Sequence, residues 1–306
     1  MNLSNIFVQV LVLFILILVG YIARKKNLLD EHSTSKLSSL TMSIFLPAMI
    51  INSMQIDYSP QMIDNIFKLL LISVFMYAFT FLIAYSLKFI FKSSQDIGIY
   101  QYVVMFSNVG FMGYPIVEAI LGKKAVFYTA IFNLPFNLLV LTLGTYFLSK
   151  HKENFSFSFK SLINPAIISI FIGLIVFVSG FNIPNFINKP LTMLGDITTP
   201  ISMLIIGSML CASSATECFF NKKLYFIGFI RLILLPVSIY LLFKGQIKDS
   251  LLLSIPIVMS AMPAAANTAI MADEYDANTS LASQAVFLTT LFSIVTIPFI
   301  SIILLS

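Results

Sequence analysis

Long apolar runs alternate with short polar connectors along the whole chain. Ten runs stand out, at 5–23, 35–54, 65–87, 97–121, 125–149, 161–180, 191–212, 223–243, 250–272 and 280–305. A helix needs ~20 mainly apolar residues to cross a bilayer, so the pattern predicts an all-α polytopic membrane protein with ten transmembrane helices. No soluble domain interrupts the runs, and the longest connector, around Ser149 to Lys160, falls almost at mid-chain. It separates a first five-span repeat (1–149) from a second (161–306), with 150–160 as the connector between them. An odd number of spans per half makes the second half enter the membrane with opposite polarity. The first run does not read as a secretory signal. Met1 to Asn5 carry no positive side chain, and Arg24, Lys25 and Lys26 follow the run instead of preceding it. It is expected to stay as a span with its N-terminus outside.

Polar and helix-breaking residues inside these runs change the picture. Span four carries Met105 to Ala119, MFSNVGFMGYPIVEA, with Asn108, Gly110, Gly113 and Pro115 at bilayer depth. Non-helical backbone survives there only where protein or a watery cavity surrounds it. Span nine carries Pro263-Ala264-Ala265-Ala266-Asn267-Thr268, with Pro256 upstream; spans two and seven carry Pro47 and Pro200. Second and fourth spans of both halves are thus expected to be proline-interrupted, 68 residues apart in one half and 63 in the other. Matching interrupted segments in two halves point to an inverted-repeat transporter with a site at mid-membrane. Pro115 is expected to open the second half of span four, where its missing N–H costs nothing. Gly110 and Gly113 are expected to supply unusual backbone conformations and close approach, and Pro263 to open a half-helix of small residues. Two converging half-helix starts, each with about half a positive charge, joined by the amides of Asn108 and Asn267, suit a small organic anion such as a carboxylate. The plainer alternative is a pair of kinked structural helices.

Composition and charge narrow the class. The chain is 58% hydrophobic and 10% charged, with a mean hydropathy of +0.96, against about 25% charged residues in soluble domains. Its net charge of +5 comes from lysines and arginines in connectors, so it indicates membrane orientation and not nucleic-acid binding. Arg24, Lys25, Lys26, Lys36, Lys88, Lys92, Lys150, Lys152, Lys160, Lys222 and Lys223 flank odd-numbered connectors. Even-numbered ones have only Lys68, Lys123, Lys124, Lys189, Lys244 and Lys248. That bias predicts both termini outside and the mid-chain connector in the cytoplasm. Cys211 and Cys218 lack metal or redox spacing, and His32 and His151 sit in charged connectors. No phosphate-cradling loop, nucleophile elbow or zinc-helix motif appears. An enzyme, a resident metal and a cofactor are therefore not expected.

Three charges lie within the spans, and Glu118, Asp196 and Arg231 are the candidates for proton or ion coupling. Glu118, about 4.5 Å along a helix past Pro115, is either a proton-coupling carboxylate or an interface residue reaching Lys123 and Lys124, the reading we favour. Asp196 is expected to open span seven and favour its positive end. Arg231 in span eight is expected to snorkel or to pair with a carboxylate. Asp273, Glu274 and Asp276 are expected to form a solvated connector face.

Several of these motifs share a family resemblance. Asn108-Val109-Gly110-Phe111-Met112-Gly113-Tyr114-Pro115, Phe45-Leu46-Pro47-Ala48, Met262-Pro263-Ala264-Ala265-Ala266-Asn267-Thr268 with Asp273-Glu274-Tyr275, Gly20-Tyr21 before Arg24-Lys25-Lys26, and Phe132-Asn133 with Pro135-Phe136-Asn137 resemble the bacterial auxin efflux carrier family. The resemblance spans the chain and implies ten helices in two inverted five-helix repeats, related to bile-acid symporters and Na⁺/H⁺ antiporters. It implies a scaffold of spans one, two, six and seven, often dimeric, and a transport domain of spans three to five and eight to ten. In that domain spans four and nine cross at their breaks, with Asn108, Pro115 and Pro263 at the substrate site and Asn267 matching only some bacterial members. The implied function is secondary transport of auxin-like or malonate- and malate-type acids across the bacterial cytoplasmic membrane, with H⁺ or Na⁺ as possible coupling ion. A sodium-coupled symporter and an anion sensor without transport are the competing readings.

Overall fold

The computed structural model describes residues 3–56, 59–92, 94–149, 164–212 and 218–305. The mid-chain connector at 150–160, with His151, lies outside them. Among the described residues the chain is helical, without strands, and falls into two compact units. Unit 1 comprises Met1–Leu71, Gly110–Leu134 and Leu162–Ala212; unit 2 comprises Ile72–Val109, Pro135–Ser161 and Ser213–Ser306.

In chain order the helices are α1 (Leu3–Lys25), α2 (Glu31–Ser53), α3 (Pro60–Ile90), α4 (Ile97–Met105), α5 (Val109–Leu121), α6 (Lys123–Phe132) and α7 (Leu134–Leu148). After the connector come α8 (Pro165–Ser179), α9 (Asn185–Ala212), α10 (Lys222–Phe243), α11 (Ser250–Ser260), α12 (Thr268–Glu274) and α13 (Thr279–Leu305). Among the described residues six helices are long and apolar enough to cross a membrane, or seven if the bent pair α6–α7 is one span. The remaining apolar runs are short or broken: α4–α5 in predicted span four, α11–α12 in span nine, and the 15 residues of α8 in span six.

Polar residues at helix starts explain many boundaries. Asp30 accepts from the Ser33 N–H at 2.7 Å, Asn164 from that of Ile167 at 2.9 Å, and Asp249 from that of Leu251 at 2.8 Å, each satisfying a donor that the first turn leaves over. The Ser33 side chain and N–H hold the exposed Asp30 carboxyl below its ordinary value. This cap is therefore at full strength above the ordinary carboxylate range and is lost as pH falls through the lowered value. Measured by NMR, α2 should fray at its start on acidification, and Asp30→Asn should remove that pH dependence.

The prolines behave differently from expectation. Pro47 and Pro200 do not interrupt their spans, since α2 continues past Pro47 and α9 contains both Pro190 and Pro200. Three π turns, Thr41–Phe45, Val109–Gly113 and Ile230–Leu234, each end two residues before a proline, at Pro47, Pro115 and Pro236. Proline lacks an N–H and its ring collides with the carbonyl four residues back. Adding one residue to the preceding turn moves that carbonyl aside. The bonds show this shift: Leu46 N–H reaches Thr41 and Leu235 N–H reaches Ile230, five residues back in each case.

In unit 1, α1 and α9 touch backbone to backbone. A Cβ at Gly207 would lie 1.9 Å from the Ile17 carbonyl oxygen, and one at Gly20 would lie 2.2 Å from that of Leu204. The Thr34 and Ser208 hydroxyls bond at 2.7 Å beside this contact. In unit 2, Gly98 sits against the Phe147 carbonyl, where a Cβ would be 2.0 Å away, and Gln101 donates to the Ala84 carbonyl at 3.1 Å.

Candidate functional site

The breaks in spans four and nine meet inside unit 2. α4 ends at Met105 and α5 starts at Val109; between them Phe106 N–H still closes the last turn of α4 on the Tyr102 carbonyl at 2.9 Å, and Ser107 and Asn108 leave the helix. α11 ends at Ser260 and α12 starts at Thr268. Ser107 and Ala264 form an antiparallel bridge: Asn108 N–H donates to the Pro263 carbonyl at 2.8 Å and Ala265 N–H to the Phe106 carbonyl at 3.1 Å. Ala264 N–H, between them, donates to the Thr289 hydroxyl of α13 at 3.2 Å. Every one of these groups is buried. Two interrupted helices thus satisfy each other's backbone in a region without solvent, as buried N–H and C=O groups require.

The carbonyl side of this crossing is closed by Arg231, on the π turn of α10 and 3% exposed. Its Nε donates to the Met262 carbonyl at 2.9 Å, Nη1 to Val104 at 2.9 Å and Nη2 to Ser260 at 3.2 Å. Arg231 therefore neither snorkels nor pairs with a carboxylate, as the sequence suggested; its partners are main-chain oxygens. Thr289 also escaped the sequence reading, because a threonine in an apolar helix carries no signal of its own.

The other expected site residues lie differently from their sequence-based roles. The break in span four precedes Pro115 by several residues, and Pro115 stands in the first turn after the π turn of α5. Gly113 has ordinary helical backbone, with φ −59° and ψ −55°, so its break-forming role does not hold. Gly110 is also helical, and a Cβ there would meet the Met42 side chain at 2.6 Å; its use is close approach. Pro263 and Ala264 lie in the irregular stretch, and the second half-helix of span nine opens five residues past Pro263, at Thr268. That half-helix has only 7 residues, too few to develop the full end charge. Asn267 precedes it, exposed and without a side-chain capping bond. In short, Asn108, Pro263 and Ala264 meet in unit 2, whereas Gly110, Gly113 and Pro115 belong to unit 1.

Glu118 and Asp196 come together in unit 1. The Thr199 hydroxyl donates to the Glu118 carboxylate at 3.1 Å, and Lys123 pairs with Asp196 at 3.3 Å. A recess that also touches Asn52 and Ser53 is lined by Glu118, Lys123 and Asp196. Asp196 does not open its helix, which begins at Asn185; it is an internal residue paired with a lysine. Both members of that pair are more than half exposed, so it contributes at most about 1 kcal/mol. Asp196→Asn should accordingly leave thermal unfolding within about 1 kcal/mol of the parent. A separate cavity of about 500 Å³ lies in unit 2 among Gln95, Asp96, Gly98, Phe147, Asp276 and Asn278.

Among the described residues, helices long and apolar enough to cross a membrane fit a membrane protein, and the comparisons with known proteins make it a transporter. The profile of the family described as membrane transport protein matches residues 5–158 and 149–301, and the chain belongs to that family. The auxin efflux carrier resemblance read from the motifs agrees with this assignment. The chain is similar to a Methanocaldococcus jannaschii protein named uncharacterized transporter MJ1031, 29% identical over 305 residues, covering 94% of this chain and 95% of the relative. It is also similar to an uncharacterized transporter of Methanothermobacter thermautotrophicus, 26% identical over 308 residues and covering 96% and 97% of the two chains. The Escherichia coli K12 uncharacterized transporter YfdV is 20% identical over 301 residues, covering 95% of each.

Proposed function

We propose that this transporter is a secondary carrier for small organic anions, carboxylates of the auxin-like or malonate and malate type. The observation that carries the reading is the bridge between Ser107 and Ala264, which builds a polar main-chain crossing from two interrupted spans. Asn108 adds a carboxamide there, and a neutral amide recognises a carboxylate at less desolvation cost than a lysine. In this reading the chain has ten spans in two inverted five-helix repeats. Spans one, two, six and seven serve as a dimeric scaffold in the bacterial cytoplasmic membrane, with both termini outside. Spans three to five and eight to ten carry the cargo by elevator-like alternating access, with H⁺ or Na⁺ as possible coupling ion.

The test begins with a thermal-shift screen of small carboxylates on purified protein. A binder at 100 times its Kd stabilises the fold by about 2.7 kcal/mol. The hit is then assayed for counterflow in reconstituted vesicles. Accumulation of labelled acid against counter-substrate is the expected result; binding without flux would make the protein a sensor, and strict sodium dependence would make it a symporter. Glu118, held by Thr199 beside Lys123, is expected to be an interface residue and not the proton carrier. Transport by Glu118→Gln should keep its pH profile, and a flattened profile would assign the proton to Glu118.

A further inference from the structure

Arg231 is a buried charge whose partners explain it. Neither ion pair among the described residues, Lys68–Asp64 or Lys123–Asp196, involves it. Burying a guanidinium without a counter-ion is costly, and a neutral side chain of similar volume would avoid that cost. What the guanidinium meets instead is the carbonyl end of α4 at Val104 and that of α11 at Ser260, plus Met262 in the break. Helix carbonyl ends carry about half a negative charge each, so two ends together offset roughly one positive charge. α4 has 9 residues and α11 has 11, enough turns for their ends to carry much of that charge. The three contacts come from two segments far apart in sequence, and both run straight into the residues of the bridge.

We propose that Arg231 is the positioning residue of the crossing: its charge neutralises the carbonyl ends of α4 and α11 and so holds Ser107 and Ala264 in register. The carrier reading gives this register its purpose, but the register itself needs no cargo. Arg231 Nε, Nη1 and Nη2 are all spent on main-chain oxygens, so its effect runs through the backbone it fixes.

Hydrogen exchange by mass spectrometry on the purified full chain tests the proposal without any ligand. Peptides covering 102–112 and 259–268 should exchange at least about tenfold faster in Arg231→Met than in the parent, while peptides from α1 and α9 stay unchanged. Arg231→Lys keeps the charge but not the fork of donors, and should stay within about threefold of the parent. Unchanged exchange in Arg231→Met would overturn the proposal, and so would acceleration spread evenly over α1 and α9, which marks a general stability residue. If Arg231→Met cannot be recovered folded, Arg231→Lys decides alone: protection within threefold supports neutralisation by charge, and loss of protection at the bridge overturns it. Failure of the carrier reading would show separately, as binding without flux, with the exchange result intact.

Discussion

Gly207→Ala is expected to prevent the α1–α9 pair from closing and to leave little folded protein. The added carbon would stand 1.9 Å from the Ile17 carbonyl oxygen and 2.7 Å from the Tyr21 nitrogen. Both atoms are backbone, so no side chain can rotate away; one whole helix has to shift. Overpacking a well-filled interior costs about 1–3 kcal/mol when side chains adjust, and a clash with main chain falls at or above the upper figure. The shift also pulls at Gly20, whose own Cβ position is 2.2 Å from the Leu204 carbonyl oxygen, and at the bond between Thr34 and Ser208. Gly245→Ala is the matched control, because nothing lies within 4 Å of a Cβ there. Thermal unfolding in detergent measures both, and a Gly207→Ala protein that melts with the control would refute the contact.

Ala265→Pro should abolish transport while leaving unit 1 folded. The substitution deletes the N–H that bonds the Phe106 carbonyl at 3.1 Å, stranding a buried acceptor at a cost of about 1–3 kcal/mol. Of the two main-chain bonds of the bridge, the one from Asn108 to Pro263 would remain. Thr289→Val is a gentler form of the same experiment, removing the hydroxyl that accepts from Ala264. Counterflow of the acid found by thermal shift is expected to fall more than about tenfold in Ala265→Pro, equivalent to about 1.4 kcal/mol, and less in Thr289→Val. Full activity in Ala265→Pro would remove the crossing from the mechanism.

The sequence located the neighbourhood of the crossing but not its atoms. Asn108 and Pro263 stood out as an amide and a helix breaker within otherwise apolar spans, and both are in the bridge. Pro115 misplaced the break because proline fits the first turn after a π turn as well as it fits a helix start. Pro47 and Pro200 suggested a symmetry of interruptions that α2 and α9 do not have, since helices absorb proline with one extra residue or simply bend. Asp196 was misread because apolar content marks the part of a helix within the bilayer, whereas α9 starts earlier in the polar stretch at Asn185. Arg231 had no legible partner for a simpler reason. Its acceptors are carbonyls, which every residue possesses, and only folding decides which ones it meets.

The π turns ahead of Pro47, Pro115 and Pro236 also bear on how this gene can change length. Each residue of a helix turns it by about 100°, so losing one residue inside a turn would rotate everything on one side of it by that amount. The proline ring would at the same time return to the carbonyl it now avoids. Single-codon deletions at Thr41–Phe45, Val109–Gly113 and Ile230–Leu234 should therefore be far less tolerated than deletions in the exposed connectors. A deletion scan read out by membrane expression would draw these three turns as gaps in an otherwise graded map.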